Sequence, residues 1–282
     1  MGGVLEHFTA SDGASIAYRD EGAGRPIVLL HGFMAHGGFF RGQRPLAADH
    51  RLITIDLRGH GESPANGHIP EVERIAADIA ELAAALDLHD AIGVGWSLGA
   101  TVLWRVLASA AGQRFAGAVI VDMTARVCND DGWALGLAQE TCAARAAAIS
   151  DDFRNFAAGA AQAMFAQPVR AELREVADWA SAEFARSDPA AMAAVWASLV
   201  DQDLRGLIAG IRQPTLVVHG GRSQLYGDGT AAHLVATLPD ARVLRFEASG
   251  HAPHLEEPDR FNHALTEFVG RLSRADLSQP AT

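Results

Sequence analysis

Six short, nearly continuous apolar runs recur along the chain: Pro26 to His31, Arg51 to Asp56, Ala91 to Gly95, Ala118 to Asp122, Thr215 to His219 and Arg242 to Phe246. Runs of this kind suit strands covered on both faces, as in a parallel sheet; a strand with one wet face would alternate apolar and polar residues. Between several of them the period becomes that of a helix. From Glu73 to Leu86, the residues Ile75, Ile79, Leu82 and Leu86 recur at three- and four-residue steps and share one helical face. This alternation predicts right-handed strand-helix-strand crossovers. Ahead of the first buried run, Asp12-Gly13 separates two strand-like pieces, a hairpin signal, so an antiparallel edge is expected to open the sheet. The alternation stops after Asp122. The Ala-rich stretch from 127 to 206 predicts several helices with no strand between them, too long for a crossover. The expected organisation is a core formed by residues 1–126 and 207–282, with residues 127–206 inserted as a helical cap. The tail beyond about Arg274 is expected to fray.

Composition narrows the classes of function. At 282 residues, 49% hydrophobic and 20% charged, the chain has the make-up of an ordinary globular protein with enough apolar side chains for a large core. The 34 acidic residues exceed the 23 basic ones, and a net charge of -11 repels phosphate backbones and anionic lipid surfaces. Neither nucleic acid nor a membrane is an expected partner. The start of the chain has no basic segment followed by an apolar one, and no run approaches the roughly 18 uninterrupted apolar residues of a membrane span, so a cytoplasmic location is expected. Cys128 and Cys142 form no C-x-x-C pair and are too few to staple a secreted scaffold, which predicts reduced, structural thiols. A homo-oligomer is left open.

Candidate chemistry begins at Gly95-Trp96-Ser97-Leu98-Gly99, which spans the junction of a predicted strand with a predicted helix. A serine on such a sharp turn projects its hydroxyl above the sheet, and the flanking glycines avoid steric collision. The helix that follows directs its positive end and free amides at any oxyanion forming there. Gly-x-Ser-x-Gly by itself is a common pattern; its position between strand and helix makes Ser97 the candidate nucleophile, against the blander reading of a glycine-rich turn. A serine hydroxyl needs a base at neutral pH, and histidine is the usual one. His251 lies after the last predicted strand and before a helix starting near Pro258, where it can reach the carboxyl ends of the strands. His254 is the runner-up. His31 and His219 end strands before the Gly32 and Gly220 turns, where backbone shaping is the simpler role. Trp96, Phe33 and Met34 neighbour the reacting atoms in sequence and are candidate apolar contacts to substrate.

Taken together, the segments LLHGF, IDLRGHGES, GWSLG, VVHGG and GHAPHLEEP follow the order and spacing of the α/β-hydrolase superfamily, and the chain resembles its capped esterase and non-haem haloperoxidase-like branch over roughly residues 15 to 270. The resemblance implies an α/β-hydrolase fold: a mostly parallel central sheet flanked by helices, with an inserted helical cap. It implies an oxyanion hole made by the backbone N–H groups of Phe33 and Leu98, and a shaping role for the loop Asp56 to Ser63. It also exposes a departure. Many members carry the third catalytic residue, an aspartate, four positions after the histidine that ends the penultimate strand, but here that position is Ser223. Other members place the acid at the end of the strand following the elbow helix, where this chain has Asp122. Asp122 is therefore the candidate acid and Asp228 the alternative; the blander role for Asp122 is a cap or a loop-shaping hydrogen bond.

The reaction expected of Ser97, His251 and Asp122 is acyl transfer on a small to medium carboxylic ester with an apolar acyl or alcohol part, with no metal or organic cofactor, the partner being a small-molecule ester or lactone substrate. A lactonase or a cofactor-free perhydrolase would use the same residues, and a ligand-binding receptor on a hydrolase scaffold is the alternative outside enzymes. Between 127 and 200 there are ten acidic residues and five arginines, a balance that disfavours highly anionic substrates such as acyl-carrier-protein or coenzyme A thioesters.

Overall fold

The structure, a computed structural model, describes residues 3–278. Its strands β1 (Leu5–Thr9), β2 (Ser15–Glu21), β3 (Pro26–Leu30), β4 (Arg51–Ile55), β5 (Ala91–Trp96), β6 (Phe115–Val121), β7 (Thr215–Gly220) and β8 (Ala241–Phe246) form one sheet in the order β1-β2-β4-β3-β5-β6-β7-β8. β1 and β2 pair antiparallel, β2 runs antiparallel to β4, and every remaining pair is parallel. The antiparallel edge closes at Asp12-Gly13: Ala10 and Ala14 share a backbone hydrogen bond of 2.8 Å, Asp12 Oδ1 accepts from the Ala14 N–H at 3.1 Å, and Gly13 adopts φ 89°. The six apolar runs all become strands. The two that read as most continuously apolar, β5 and β7, are buried at every position.

Helices cover both faces. α1 (Val72–Ala85) turns Ile75, Ile79 and Leu82 inward, as the three- and four-residue spacing requires, and α2 (Leu98–Leu107) follows β5 directly with Leu103 and Trp104 fully buried. Burying a side chain of this size contributes about 1.5–3 kcal/mol each. Between β6 and β7 lie α3 (Gln139–Asp151), α4 (Phe153–Ala163), α5 (Arg174–Phe184), α6 (Pro189–Asp201) and the single turn α7 (Arg205–Ile208), with no strand among them. α8 (Asp228–Thr237) separates β7 from β8, and α9 (Pro253–Glu256) and α10 (Pro258–Ser278) complete the fold. α10 continues past Arg274, where fraying was expected, to Ser278; the last four residues of that expected tail lie outside the described residues.

Two local devices fix the upper edge of the sheet. Arg58, fully buried, pairs with Asp78 at 2.6 Å and Asp12 at 2.9 Å, so the loop after β4 is pinned to both α1 and the opening hairpin. Removing one member of such a buried pair typically costs about 3–5 kcal/mol, because the other charge is left uncompensated. Asp56 accepts from the Gly37 N–H at 2.7 Å and the Glu62 N–H at 2.9 Å, while the Ser63 hydroxyl donates to the Asp56 carbonyl. These bonds hold the segment following Phe33 against the end of β4, in keeping with a shaping role for the loop.

Candidate active site

The turn from β5 into α2 forces Ser97 into φ 53°, ψ -119°, a region an L-residue occupies only when its surroundings over-determine it. The surroundings are the two glycines. A Cβ on Gly95 would stand 2.5 Å from the Gly99 carbonyl oxygen and 2.6 Å from Ala100, and one on Gly99 would collide with the Leu30 carbonyl. Glycine at both positions lets the helix start pack against β5 and β3, and the serine is lifted out of the sheet as a result. Among the described residues the Ser97 hydroxyl makes no hydrogen bond within the protein, so it can rotate.

Gly32 lies directly over this turn: a Cβ there would meet the Trp96 ring at 3.1 Å and Ser97 Cβ at 3.3 Å. The next residue, Phe33, therefore begins beside the serine. His31 holds the turn in place. Its Nε2 accepts from the Leu57 N–H at 2.9 Å, so its proton sits on Nδ1 and is donated to the Gly32 carbonyl at 2.8 Å. Complete burial pushes His31 well below its ordinary value, which keeps it in this neutral, bridging form. Among the described residues neither the Phe33 nor the Leu98 amide donates to a protein acceptor.

His251 follows β8, and its Nδ1 lies 2.7 Å from Asp122 Oδ2. Trp96 contributes more than a wall: its indole N–H donates to the His251 carbonyl at 2.8 Å, fixing the loop that carries the histidine. The neighbouring His254 is sealed away among Phe40, Trp96 and Phe261 with neither ring nitrogen hydrogen-bonded, and burial pushes it down to about 3.

Asp122 directly follows β6 in a left-handed conformation, φ 44°, with its side chain fully buried. Oδ1 accepts from His219 Nδ1 at 2.8 Å and the Gly220 N–H at 3.2 Å, and Oδ2 accepts from the Ser223 hydroxyl at 2.6 Å as well as from His251. Burial raises the affinity of this carboxyl for a proton, but the hydrogen bonds from His219 and His251 outweigh it and hold Asp122 below the ordinary carboxylate value. Asp228 is elsewhere. Its side chain is 68% exposed and bonds to Arg245 at 2.8 Å and to His219 Nε2 at 3.1 Å, with His251 bonded to Asp122 instead. Reading along the sequence missed two participants, Ser223 and His219. Ser223, conspicuous as the missing acid, instead donates to the displaced one; His219, assigned only to backbone shaping, stands between Asp122 at Nδ1 and Asp228 at Nε2.

Ser97 and His251 open into a common cavity of about 60 Å³, walled by Phe33, Met34, Trp96 and Tyr226 from the sheet side and by residues of α3 to α6, including Arg145, Met164, Phe184 and Trp196. It is apolar apart from Ser97, His251, Tyr226 and Arg145. Among the described residues no group of three or more His, Cys, Asp or Glu side chains could hold a metal ion, and no helix is long and apolar enough to cross a membrane. Cys128 and Cys142 are both free thiols.

The profile of the Alpha/beta hydrolase family matches residues 27–264. A pimeloyl-[acyl-carrier protein] methyl ester esterase of Aeromonas hydrophila is 30% identical over 259 residues, covering 91% of this chain and 100% of the relative. Among solved structures, an esterase from Exiguobacterium antarcticum superposes with a TM-score of 0.89 at 25% identity, covering 96% of this chain and all of that one. A bromoperoxidase from Bacillus anthracis superposes equally well, with a TM-score of 0.89 over 95% of this chain and all of the other, but at 22% identity it speaks for the fold alone.

Proposed function

This chain belongs to the alpha/beta hydrolase family and is a carboxylic ester hydrolase, and we propose that it works through Ser97 as nucleophile, His251 as general base and Asp122 as the acid that orients the base. The observation that carries this reading is the 2.7 Å contact between His251 and Asp122 beside a serine on a strained elbow, with serine and histidine facing one cavity. Asp122 keeps the His251 proton on Nδ1, so Nε2 can take the Ser97 proton as Oγ attacks the ester carbonyl. The oxygen that becomes negative is met by the Phe33 and Leu98 amides. Collapse of the tetrahedral intermediate breaks the bond to the alcohol, which leaves with the proton from His251. Water then attacks the acyl-enzyme by the same two steps and frees the acid. No step calls for a metal or an organic cofactor.

Residues 127–206 act in this reading as a cap that closes the site, and the protein works in the cytoplasm. The cavity beside Ser97 is small, about 60 Å³, and we assign a short acyl chain to it. The curated relative is named for an ester on acyl-carrier protein. Here the stretch from 127 to 200 carries ten acidic residues against five arginines, a field that opposes a highly anionic carrier, and we assign a free small-molecule ester. The test is hydrolysis of p-nitrophenyl esters from acetyl to dodecanoyl by the wild type and by Ser97→Ala. Turnover should favour the short chains and fall on the order of a million-fold in the variant. Activity in Ser97→Ala within about tenfold of wild type would remove the nucleophile from the scheme.

A further inference from the structure

Arg145, on α3, lines the cavity that contains Ser97 and His251; among the described residues it is the one Arg or Lys that does so, and no Asp or Glu lines it. Its situation differs from that of other buried or half-buried arginines in the chain. Arg51 bonds Asp20 at 2.7 Å, Arg58 bonds Asp78 and Asp12, and Arg74 bonds Asp78 at 2.9 Å. Among the described residues Arg145 has no hydrogen bond and no ion pair; its guanidinium carbon stands 5.8 Å from the centre of the Trp196 ring. A cation withdrawn from water without a counter-charge is unfavourable, and burial does push Arg145 below its ordinary value. Nor is it sealed in like His254, whose orphaned ring nitrogens are fully enclosed: Arg145 lines the cavity, and none of its nitrogens is among the enclosed, unpartnered atoms. A planar fork of donors with no hydrogen-bond partner, on a residue that lines a largely apolar site, is complementary to a carboxylate.

We propose that Arg145 selects substrates, and that the preferred ester carries a free carboxylate a few carbons from the scissile bond, held by the Arg145 guanidinium while Ser97 attacks. This rests on the reading of Ser97 given above and extends it from ester hydrolysis to half-esters of dicarboxylic acids and acylated hydroxy acids. It is compatible with the acidic exterior of α3 to α6. That exterior opposes large polyanions at long range, whereas a single carboxylate on a small molecule meets one unscreened cation once inside.

The experiment compares matched pairs differing in one terminal group: monomethyl glutarate against methyl pentanoate, and γ-acetoxybutyrate against butyl acetate. Wild-type kcat/KM should favour the charged member of at least one pair by about tenfold or more. Arg145→Met should lose about tenfold to a hundredfold on that charged ester, with less than about threefold change on its neutral partner, and Arg145→Lys should recover part of the loss. Equal losses on charged and neutral esters, or no preference in the wild type for either charged ester, would overturn the proposal and leave Arg145 as packing for Trp196. Equilibrium binding of glutarate to Ser97→Ala, with and without Arg145→Met, separates the two readings. If the neutral esters are hydrolysed as well by Ser97→Ala as by wild type, the nucleophile is wrong. Arg145 still stands if glutarate binding weakens at least tenfold without it, and falls if binding is unchanged.

Discussion

Replacing Asp122 with asparagine changes one atom and removes a charge that four donors share. His219 Nδ1 and the Gly220 N–H point at one oxygen, the Ser223 hydroxyl and His251 Nδ1 at the other. An amide offers one acceptor and one donor, so a donor must face donors on one side. The Gly220 N–H cannot turn away, whereas the Ser223 hydroxyl can rotate to accept, so the amide nitrogen should settle on the Ser223 and His251 side. His251 Nδ1 must then accept rather than donate, its proton moves to Nε2, and Nε2 can no longer take the proton of Ser97. Loss of the correct tautomer typically costs on the order of ten-thousandfold in kcat, about 5 kcal/mol of transition-state stabilisation. Asp228→Asn supplies the control, because that side chain is largely exposed and paired to Arg245. It should keep turnover of p-nitrophenyl acetate within about threefold of wild type, since exposed pairs contribute little. Both variants should show a cooperative thermal transition by circular dichroism, so that lost activity is not lost fold. Asp122→Asn within about tenfold of wild type, or a greater loss in Asp228→Asn than in Asp122→Asn, would refute the assignment of the acid.

Two further outcomes follow from the same set of contacts. The Ser223 hydroxyl lies 2.6 Å from Asp122 Oδ2, so adding Ser223→Asp to Asp122→Asn returns a carboxylate within reach of His251 and should recover at least about tenfold in kcat; no recovery in a folded double variant would mean that the loop cannot bring position 223 to the histidine. Buried Glu256 accepts from the Gly250 N–H at 2.6 Å and the Ala166 N–H at 3.0 Å, and burial pushes its carboxyl up from 4.5 to about 7. The unfolded chain releases that proton first as pH rises, so this group withdraws stability between about pH 4.5 and 7, by up to about 1.4 kcal/mol per pH unit. In urea denaturation, the stability of Glu256→Gln relative to wild type should therefore climb from pH 5 to pH 7, and a difference independent of pH would contradict the origin given for it.

How far the sequence reaches depends on the range of the interaction. The strands and α1 are legible because each is a local pattern: burial on both faces leaves no polar alternation in β5 or β7, and Ile75, Ile79 and Leu82 repeat within a single helix. The elbow is legible for the same reason, since Gly95, Ser97 and Gly99 meet their steric requirement within five residues. The roles that escape are those whose partner lies far along the chain. Trp96 suggests a wall of the cavity, yet its N–H holds a carbonyl 155 residues away, and His219 finds Asp122 across 97. Ser223 is an intermediate case: its position announces that the acid is missing, and only the packing of β6 against β7 shows that it donates to the replacement.

Arg145 lies at the limit of what a single chain can disclose. α3 is rich in alanine and buries only Cys142 and Ile149, so its sequence carries no strong stripe to say which side faces inward. An arginine on such a helix would ordinarily be assigned to solvent or to one of the acidic residues that outnumber the basic ones between 127 and 200. The assignment reverses only when α3 packs beside α6: Arg145 then shares a cavity with Ser97, and among the described residues no carboxylate pairs with it. Charge balance over the segment therefore predicts the opposite of charge balance within the site. On the proposal for Arg145, an acidic exterior and one cation at the cavity wall together discriminate among anions by size, and the matched ester pairs measure that discrimination directly.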